Sequence, residues 1–247
     1  MGIGETNEEN LVMVLPVYNE ADNIEAMIES LDKSRKDLDN CNLIALFVDD
    51  SSPDGTGELI SKISQKYEWV KLHVRKEKQG LGKAYLDGFS FAIKNLSPQY
   101  IGQMDSDLSH DPKFLVPMLS SIRDGSDVCI GSRYVRGGGV EGWPFSRKVI
   151  SRGGNAVARV LGGIWSIKDC TSGFTIMRYE AVQKALKSPI DVDGYAFQVH
   201  LKNALKSSGS VISETPIIFR DRIFGESKLG NSDIAEFFFS VLRLRFN

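Results

Sequence analysis

Residues 43–50 read LIALFVDD, an apolar run that stops abruptly at two aspartates. The same pattern stands earlier in LVMVLPVYNE, residues 11–20, and later in YIGQMDSD, residues 100–107. Short apolar runs of this kind favour buried β-strands. We predict strands at residues 11–16, 43–48, 70–75, 100–104 and 127–130, separated by helices near residues 21–33, 56–67, 80–95 and 112–124. This alternation predicts an α/β fold with an open, mostly parallel sheet flanked by helices.

Composition narrows the class of protein. The chain has 247 residues, of which 42% are hydrophobic and 25% charged, the balance of an ordinary soluble globular protein. A formal net charge of −2 argues against nucleic acid as a partner. The three cysteines lack metal-site spacing, which favours buried, reduced thiols. No apolar run approaches the roughly 18 residues needed to cross a bilayer, so we expect no transmembrane segment.

Charge is unevenly distributed along the chain. Residues 1–60 carry 14 acidic side chains against three basic ones, a net charge of −11. Residues 131–168 carry seven basic side chains and one acidic one, a net charge of +6. This local excess indicates either an anionic partner or a solvated helix face. A long amphipathic segment, Arg147 to Leu161, lies within the basic region.

Polar side chains follow three of the predicted strands. Because ligands of open α/β sheets bind beyond the carboxyl ends of the strands, we expect the chemistry in these loops. Asp105-Ser106-Asp107 places two carboxylates one residue apart, which suits a hard divalent cation shared with a diphosphate; the plainer alternative is an aspartate-rich turn. After the second strand we favour Asp50 for contacts with a base or ribose, because Asp54 suits a turn or a helix cap.

Other familiar sites fail on spacing. The segment Gly80-Leu81-Gly82-Lys83 lacks both the earlier glycine and the following Ser or Thr of a phosphate-binding loop, and no GxGxxG occurs around it. His73, His110 and His200 are too scattered for a metal trio, so we predict each as a surface or packing residue. These failures exclude hydride transfer and zinc chemistry from the leading hypotheses.

Taken together, these segments resemble the family 2 glycosyltransferases of GT-A fold. The motifs agree in order and spacing and are LPVYNE (15–20), VDDSSPDGT (48–56), GLG (80–82), MDSDLSH (104–110) and GSR (131–133). A narrower resemblance, to the dolichol-phosphate (polyprenol-phosphate) mannose synthases, rests on GW (142–143), RKVISRG (147–153), GYAFQ (194–198) and DRIFGESKL (221–229). The resemblance runs from about residue 11 to residue 230.

The resemblance implies GDP-mannose as the donor and Mg²⁺ or Mn²⁺ as the cofactor. The residues that it places at the donor are Pro16, Tyr18, Glu20, Val48, Asp50, Asp105, Ser106, Asp107, Arg222 and Lys228. It places the metal on Asp105 and Asp107, with Ser109 at the third contact position, where some members have Gln. Ser51 stands where relatives often have Gly, and His200 stands where relatives often carry Glu.

The acceptor that the resemblance implies is a dolichyl or polyprenyl monophosphate, contacted by Arg133, Arg147 and Ser151. With a second pKa near 6, this phosphate is mostly ionised at neutral pH and needs no protein base to attack C1 of mannose. Inverting, metal-dependent displacement would then give a β-mannosyl-phosphoryl lipid. The catalytic residues that we predict are Asp107, Arg133, Arg147 and Arg222.

We expect a polar tail at residues 1–10, one GT-A domain at residues 11–230 and a C-terminal amphipathic helix at residues 231–247. Within the domain, residues 11–130 form the nucleotide and metal half and residues 131–230 the acceptor half. The terminal helix either completes the core or lies on a membrane surface.

A lipid acceptor implies a peripheral protein at the cytosolic face of a membrane, the endoplasmic reticulum in a eukaryote or the plasma membrane in a prokaryote. Arg147 to Leu161 is the candidate contact. Some members carry membrane segments and others use small membrane-anchoring subunits, so self-docking and an anchoring partner both stay open. Two other functions also stay open: transfer of glucose or another hexose to polyprenyl phosphate, and a non-catalytic subunit that binds nucleotide sugars.

Overall fold

The computed structural model describes residues 9–192, 194–221, 237 and 240–244. The first half contains β1 (Glu9–Val17), α1 (Ala21–Arg35), β2 (Cys41–Asp49), α2 (Thr56–Lys66), β3 (Val70–Val74), α3 (Leu81–Asn95) and β4 (Tyr100–Gln103). The second half contains a 3-10 turn (Pro112–Phe114), α4 (Leu115–Arg123), β5 (Val128–Ser132), β6 (Gly139–Val140), α5 (Phe145–Leu161), β7 (Thr175–Arg178), α6 (Tyr179–Ala185), α7 (Gly194–Ser207), β8 (Ile212–Pro216) and β9 (Ile218–Phe219).

The central sheet has seven strands in the order β3-β2-β1-β4-β7-β5-β8. All neighbours in it are parallel except β7, which is antiparallel to both β4 and β5. A small second sheet pairs β6 with β9 in parallel. The prediction of a mostly parallel sheet flanked by helices is therefore confirmed.

The position of β1 between two layers of helices explains why its sequence is apolar without interruption. Leu11, Met13 and Leu15 pack in the hydrophobic cluster that includes α1 and α4, whereas Val12 and Val14 pack in the cluster that includes α3 and α7. All five side chains are fully buried. Because successive residues of a strand face opposite sides of the sheet, a strand covered by helices on both sides needs apolar residues at every position.

Two glycines allow the layers around β1 to approach closely. A Cβ atom on Gly102 of β4 would lie 1.9 Å from the sulfur of Met13 on the neighbouring strand. A Cβ atom on Gly88 of α3 would lie 2.4 Å from a methyl carbon of Val14. Helix α3 therefore packs directly on β1, and this contact brings its first turns near the carboxyl ends of the strands.

The structure adds elements that the sequence pattern did not predict: β6, β7, β8, β9, α6 and α7. Strand β7 has only four residues, and β8 reads ISETP with no fully buried position, so neither shows a clear period of two. Strand β1 begins at Glu9, inside the predicted tail, and the helix predicted from residue 112 opens with the 3-10 turn.

The described part of the predicted C-terminal helix contributes to the core. Residues 237 and 240–243 are helical, and Phe237 and Val241 are buried in the same cluster as α7. The remaining residues of 231–247 lie outside the described part of the chain. Cys41, Cys129 and Cys170 are free and buried, as predicted. Within the described ranges, no helix combines the length and apolarity that crossing a bilayer requires.

Candidate active site

The carboxyl ends of β1, β2 and β4 meet at one edge of the sheet. Strand β1 lies between the other two, and the register pairs Val17 with Asp49 and Val14 with Gln103. From β1 the chain builds β2 and β3 on one side and later places β4 on the other. This change of direction opens a crevice at the ends of β1 and β4, where open α/β sheets bind ligands.

Hydrogen bonds join the loops that border this crevice. The hydroxyl of Ser106 donates to the carbonyl of Pro16 at 3.3 Å. The backbone N–H of Asn19, whose φ is +57°, donates to Oγ of Ser52 at 3.0 Å. The backbone N–H of Glu20 makes a similar bond to the Thr56 hydroxyl at 3.0 Å. Pro16, Glu20 and Ser106, all predicted donor residues, therefore lie on one connected rim.

Asp50 forms a buried ion pair with Arg75. Each side chain is 7% exposed, and Nη1 of Arg75 lies 2.5 Å from Oδ1 of Asp50. Burial raises the pKa of Asp50, and the positive charge of Arg75 offsets only part of this effect. The ammonium of Lys78 lies 3.9 Å from the centre of the Tyr18 ring. Two predicted donor residues, Tyr18 and Asp50, are thus each held by a cation that the sequence did not single out.

The neighbours of Asp50 have structural roles. Asp49 is buried and accepts hydrogen bonds from the backbone N–H and the hydroxyl of Ser52. Ser51 has φ +55°, in the left-handed region that glycine favours. The side chain of Val48 is fully buried in the core, so the donor contact predicted for Val48 concerns its main chain.

Asp105 and Asp107 lie in the loop after β4, and Asp105 contacts Tyr85 of α3 and His110 of the same loop. The hydroxyl of Tyr85 donates to Oδ1 of Asp105 at 3.3 Å. Nδ1 of His110 accepts from the backbone N–H of Asp105 at 3.2 Å, which places the proton of the neutral ring on Nε2. Burial lowers the pKa of His110. Oδ1 of Asp107 accepts from the backbone N–H of Ser109 at 3.0 Å.

The donor atoms here suit a hard divalent cation. Burial, and then the charges of Asp105 and Asp107, raise the pKa of Tyr85, so both carboxylates act on the same small region. Among the described residues, no three His, Cys, Asp or Glu side chains are grouped to hold an ion. If a cation binds at the two predicted carboxylates, Asp105 and Asp107, oxygens from outside the protein, such as those of a diphosphate, would have to complete its coordination. Ser109, the predicted third metal contact, is only 2% exposed, so little of its side chain faces the crevice. Its contact with a metal stays a prediction.

Arg133 is buried and bound to an acidic residue that the sequence did not single out. Its Nε and Nη2 each donate to a different oxygen of Asp169 at 2.8 Å, and its backbone N–H donates to the same carboxylate at 2.9 Å. Nη2 also donates to the hydroxyl of Thr171 at 2.9 Å. Burial disfavours the charged form of both groups. Their mutual attraction and hydrogen bonds outweigh burial, so the pKa of Asp169 is lowered and the pKa of Arg133 is raised. An exposed, purely solubilising Arg133 is thereby excluded.

Arg147 and Ser151 lie one turn apart on α5. Nη1 of Arg147 donates to Asp221 at 2.8 Å, and the guanidinium carbon lies 4.2 Å from the ring centre of Trp143. The hydroxyl of Ser151 lies 2.7 Å from that of Tyr134. The other two predicted phosphate contacts, Arg222 and Lys228, lie outside the described residues.

An aromatic layer connects the acidic and basic groups. The His110 ring, which touches Asp105, lies 5.2 Å from the ring of Phe219. On the same ring, the guanidinium carbon of Arg133 lies 5.5 Å from the centre. Trp143 packs on Phe219 at 5.3 Å. The predicted metal and acceptor groups therefore flank one layer of side chains.

A buried polar network beneath the site escaped the sequence analysis. Nε2 of Gln103, the last residue of β4, donates to Oε1 of Gln198 at 2.6 Å. Nζ of Lys202 is fully buried and donates to the carbonyl of Ser172 at 2.6 Å. Burial lowers the pKa of Lys202 to about 8, although Asp169 opposes this shift. The sequence offers one signal for this network: Lys202 stands on a face of α7 whose other residues are mostly apolar.

Comparison with known proteins agrees with this arrangement. The model of the family named glycosyl transferase family 2 matches residues 12–186. The chain is 38% identical over 233 residues to a dolichol-phosphate mannosyltransferase from Pyrococcus furiosus, covering 94% of this chain but only 62% of that protein. It is 36% identical over 235 residues to a polyprenol monophosphomannose synthase from Mycolicibacterium smegmatis, covering 94% of this chain and 86% of that protein.

A solved structure shares the fold. The mannosyltransferase from Pyrobaculum calidifontis, in complex with GDP-Man and Mn²⁺, superposes with a TM-score of 0.59 at 14% identity, covering 90% of this chain and 59% of that one. The carboxyl-end crevice, the aspartates after β4 and the match over residues 12–186 lead to one conclusion. The chain belongs to glycosyl transferase family 2 and has a GT-A-like fold.

Proposed function

We propose that this enzyme transfers mannose from GDP-mannose to a dolichyl or polyprenyl monophosphate. The observation that carries the proposal is the placement of Asp105 and Asp107 across one aromatic layer from Arg133, with Arg147 packed on Trp143 of the same layer. A transfer between two phosphates needs such an arrangement, because both the leaving group and the nucleophile are anionic. The names of the two sequence relatives support mannose as the sugar and a polyprenyl phosphate as the acceptor.

The donor would lie along the rim formed by the loops after β1, β2 and β4. In this proposal Tyr18 and Asp50 contact the base and the ribose, and Pro16 and Ser106, which are joined by a hydrogen bond, border the path towards the diphosphate. A divalent cation, Mg²⁺ or Mn²⁺, on Asp105 and Asp107 would neutralise charge on the diphosphate. Tyr85 orients the carboxylate of Asp105 from the side opposite solvent, because its hydroxyl is buried and donates to Oδ1.

The chemistry that we propose is a single displacement. An oxygen of the acceptor phosphate forms a bond to C1 of mannose while the bond from C1 to the GDP oxygen breaks, and GDP leaves with that electron pair. Attack opposite the leaving group inverts the configuration and gives a β-mannosyl phosphate. The acceptor is ionised at neutral pH, so the site needs cations rather than a base. In this proposal Arg147 and Ser151 on α5 bind that phosphate.

We also propose that the protein works at the cytosolic surface of a membrane, because its acceptor is a bilayer lipid. Helix α5 carries Arg147 and Ser151 on one side and exposed apolar side chains on another. A peripheral position would let α5 reach a lipid phosphate without removing the lipid from the bilayer. Anchoring subunits remain an additional hypothesis, compatible with this arrangement.

The direct test is transfer of labelled sugar into lipid. Purified protein with Mn²⁺ and polyprenyl phosphate is expected to label the lipid from GDP-mannose and not from UDP-glucose. If the lipid is labelled only from UDP-glucose, the proposed sugar is wrong and the enzyme is a glucosyltransferase. The Asp107→Asn variant is expected to lose transfer, because it lacks one of two proposed metal carboxylates.

A matched variant separates chemistry from folding. Asp124→Asn removes an exposed carboxylate just after α4, next to Arg123, which pairs with Glu9 at the start of β1, and therefore at the edge of the sheet opposite the crevice; it is expected to keep full transfer. Nucleotide-sugar binding without transfer in the wild-type protein would favour the non-catalytic subunit. Anomeric analysis of the mannosyl phosphate checks the inversion, and an α-linked product would contradict single displacement.

A further inference from the structure

A cavity of about 480 Å³ lies between α5 and the loop after β5. The residues that line it are Arg133, Tyr134, Val135, Gly138, Arg152, Asn155, Ala156, Arg159 and Lys168. Four of these nine side chains are cationic and none carries a carboxylate. A concave surface with one sign of charge concentrates ions of the opposite sign. The proposed metal and acceptor sites do not account for three of the four cations.

The cations of this cavity differ in what already holds them. Arg133 is neutralised in its buried ion pair. Nη2 of Arg159 donates to the carbonyl of Trp165 at 3.0 Å, but Nε of Arg159 is buried without a hydrogen-bond partner. Arg152 and Lys168 have exposed side chains. A buried, unpaired donor on a charged group is costly, and an anion bound in the cavity would remove that cost.

The loop that carries Lys168 is fixed in place. Oδ1 of Asn155 accepts from the backbone N–H of Cys170 at 2.7 Å, and its amide group donates to the carbonyl of Lys168. Glu214 accepts the backbone N–H groups of Lys168 and Asp169 at 2.8 and 2.9 Å. Glu214 is therefore occupied by the main chain, and the cavity keeps its positive character.

Helix α5, which lines the cavity, and the turn after it also carry exposed apolar side chains. Phe145, Val149, Ile150 and Trp165 are 80%, 51%, 56% and 57% exposed. Residues 142–168 contain no Asp or Glu. A helix face that joins large apolar side chains to Lys and Arg, without acids, is the pattern of helices that lie in the headgroup region of anionic membranes.

We propose that this cavity binds the phosphate of an anionic bilayer lipid, separately from the acceptor phosphate. Arg152 follows Ser151 by one residue, which turns it about 100° around the helix axis from the proposed acceptor contact. Arg152, Arg159 and Lys168 bind the headgroup phosphate, while Phe145 and Val149, on the same side of α5 as Arg152, enter the apolar layer beside it. This inference rests on the proposed function only in that the acceptor is a membrane lipid.

Vesicle binding without any substrate tests the site. The double variant Arg152→Gln, Lys168→Gln is expected to bind vesicles of phosphatidylcholine and phosphatidylglycerol about 25-fold more weakly, since each basic residue near an anionic surface contributes roughly fivefold. Binding to pure phosphatidylcholine vesicles is expected to stay unchanged. Arg159→Met is expected to act in the same direction. Quenching of Trp165 fluorescence by brominated lipid reports the contact, with Trp165→Phe as the reference.

A matched control removes the same charge elsewhere. Lys62 and Lys94 are exposed on α2 and α3, and Lys62→Gln with Lys94→Gln is expected to bind anionic vesicles nearly as well as the wild-type protein. Equal losses in the two double variants would overturn the proposal, because net charge alone would then explain binding. Inorganic phosphate at low concentration that competes fully with anionic vesicles for the wild-type protein would also overturn the proposal, because the cavity would then bind a soluble phosphate.

Transfer to a short, water-soluble polyprenyl phosphate separates this inference from the proposed function. The Arg152→Gln, Lys168→Gln variant is expected to keep wild-type transfer in solution. Loss of that transfer would make the cavity part of the acceptor site and overturn the proposal. The two proposals can also fail separately. If the wild-type protein transfers no mannose, but the double variant binds anionic vesicles more weakly than the wild-type protein, the proposed function fails while the lipid site stands.

Discussion

Replacing Asp169 by asparagine tests whether the buried pair with Arg133 supports the acceptor side of the site. Asp169 is fully buried and accepts two side-chain bonds and one backbone bond from Arg133. An asparagine has the same shape but no charge and only one acceptor oxygen. It would therefore leave the guanidinium of Arg133 buried and without its counter-charge.

The magnitude follows from these contacts. Removing one partner of a buried ion pair costs about 3 to 5 kcal/mol, because the remaining charge stays desolvated. The loss of one charge-assisted hydrogen bond alone accounts for about 1.5 to 3 kcal/mol of this cost, and the unpaired buried charge adds the rest. We expect Asp169→Asn to lower the free energy of unfolding by about 4 kcal/mol, which for a domain of this size lowers Tm by about 10 °C.

Chemical denaturation in urea, followed by circular dichroism at pH 7, measures this loss. The double variant Arg133→Met, Asp169→Leu is expected to recover most of the stability, because it removes both buried charges. It is also expected to stay inactive if Arg133 assists the acceptor phosphate. A loss below about 1 kcal/mol in Asp169→Asn would refute the reasoning, since the pair would then contribute no more than a surface contact.

Three further perturbations test other parts of the site. Burial lowers the pKa of Lys202 to about 8, below its ordinary 10.5, so the unfolded chain holds the proton more tightly. The wild-type protein should therefore gain stability as pH rises from about 8 to 10.5, and urea denaturation across that range should show no such gain in Lys202→Met. Tyr85→Phe removes the bond to Asp105 and is expected to weaken Mn²⁺ binding about fivefold by calorimetry while circular dichroism stays unchanged. Gly102→Ala places a carbon against the sulfur of Met13 and should lower stability by about 2 kcal/mol in thermal unfolding.

The strands that build the crevice were predictable because their information is local. Each is a short apolar run that ends in polar residues, and a parallel sheet brings the carboxyl ends of such runs to one edge. Asp50 and Asp105 could be named as candidates for this reason, and the family resemblance then implied their roles. The short antiparallel strand β7 could not be placed, because four residues carry too little periodicity and their position depends on where the chain returns to the sheet.

The partners of the site residues could not be predicted, because each comes from a distant part of the chain. Arg75 lies 25 positions from Asp50, and Asp169 lies 36 positions from Arg133. No spacing rule links such residues, since their contact is created by packing between different elements. The sequence indicates which groups have the right chemistry, and the tertiary structure decides what orients them.

This distinction gives the two predicted acceptor arginines unequal roles. Arg133 is enclosed with Asp169, and exchanging that carboxylate for a lipid phosphate would leave a buried anion behind. Arg147 pairs with Asp221 where the side chains are 25% and 40% exposed, and such partly solvated pairs contribute at most about 1 kcal/mol. A phosphate dianion can therefore displace Asp221 at little cost, because water and counterions receive the released carboxylate. We infer that Arg147 binds the arriving phosphate directly, whereas Arg133, neutralised by Asp169, supports the aromatic layer of Trp143 and Phe219 beneath it.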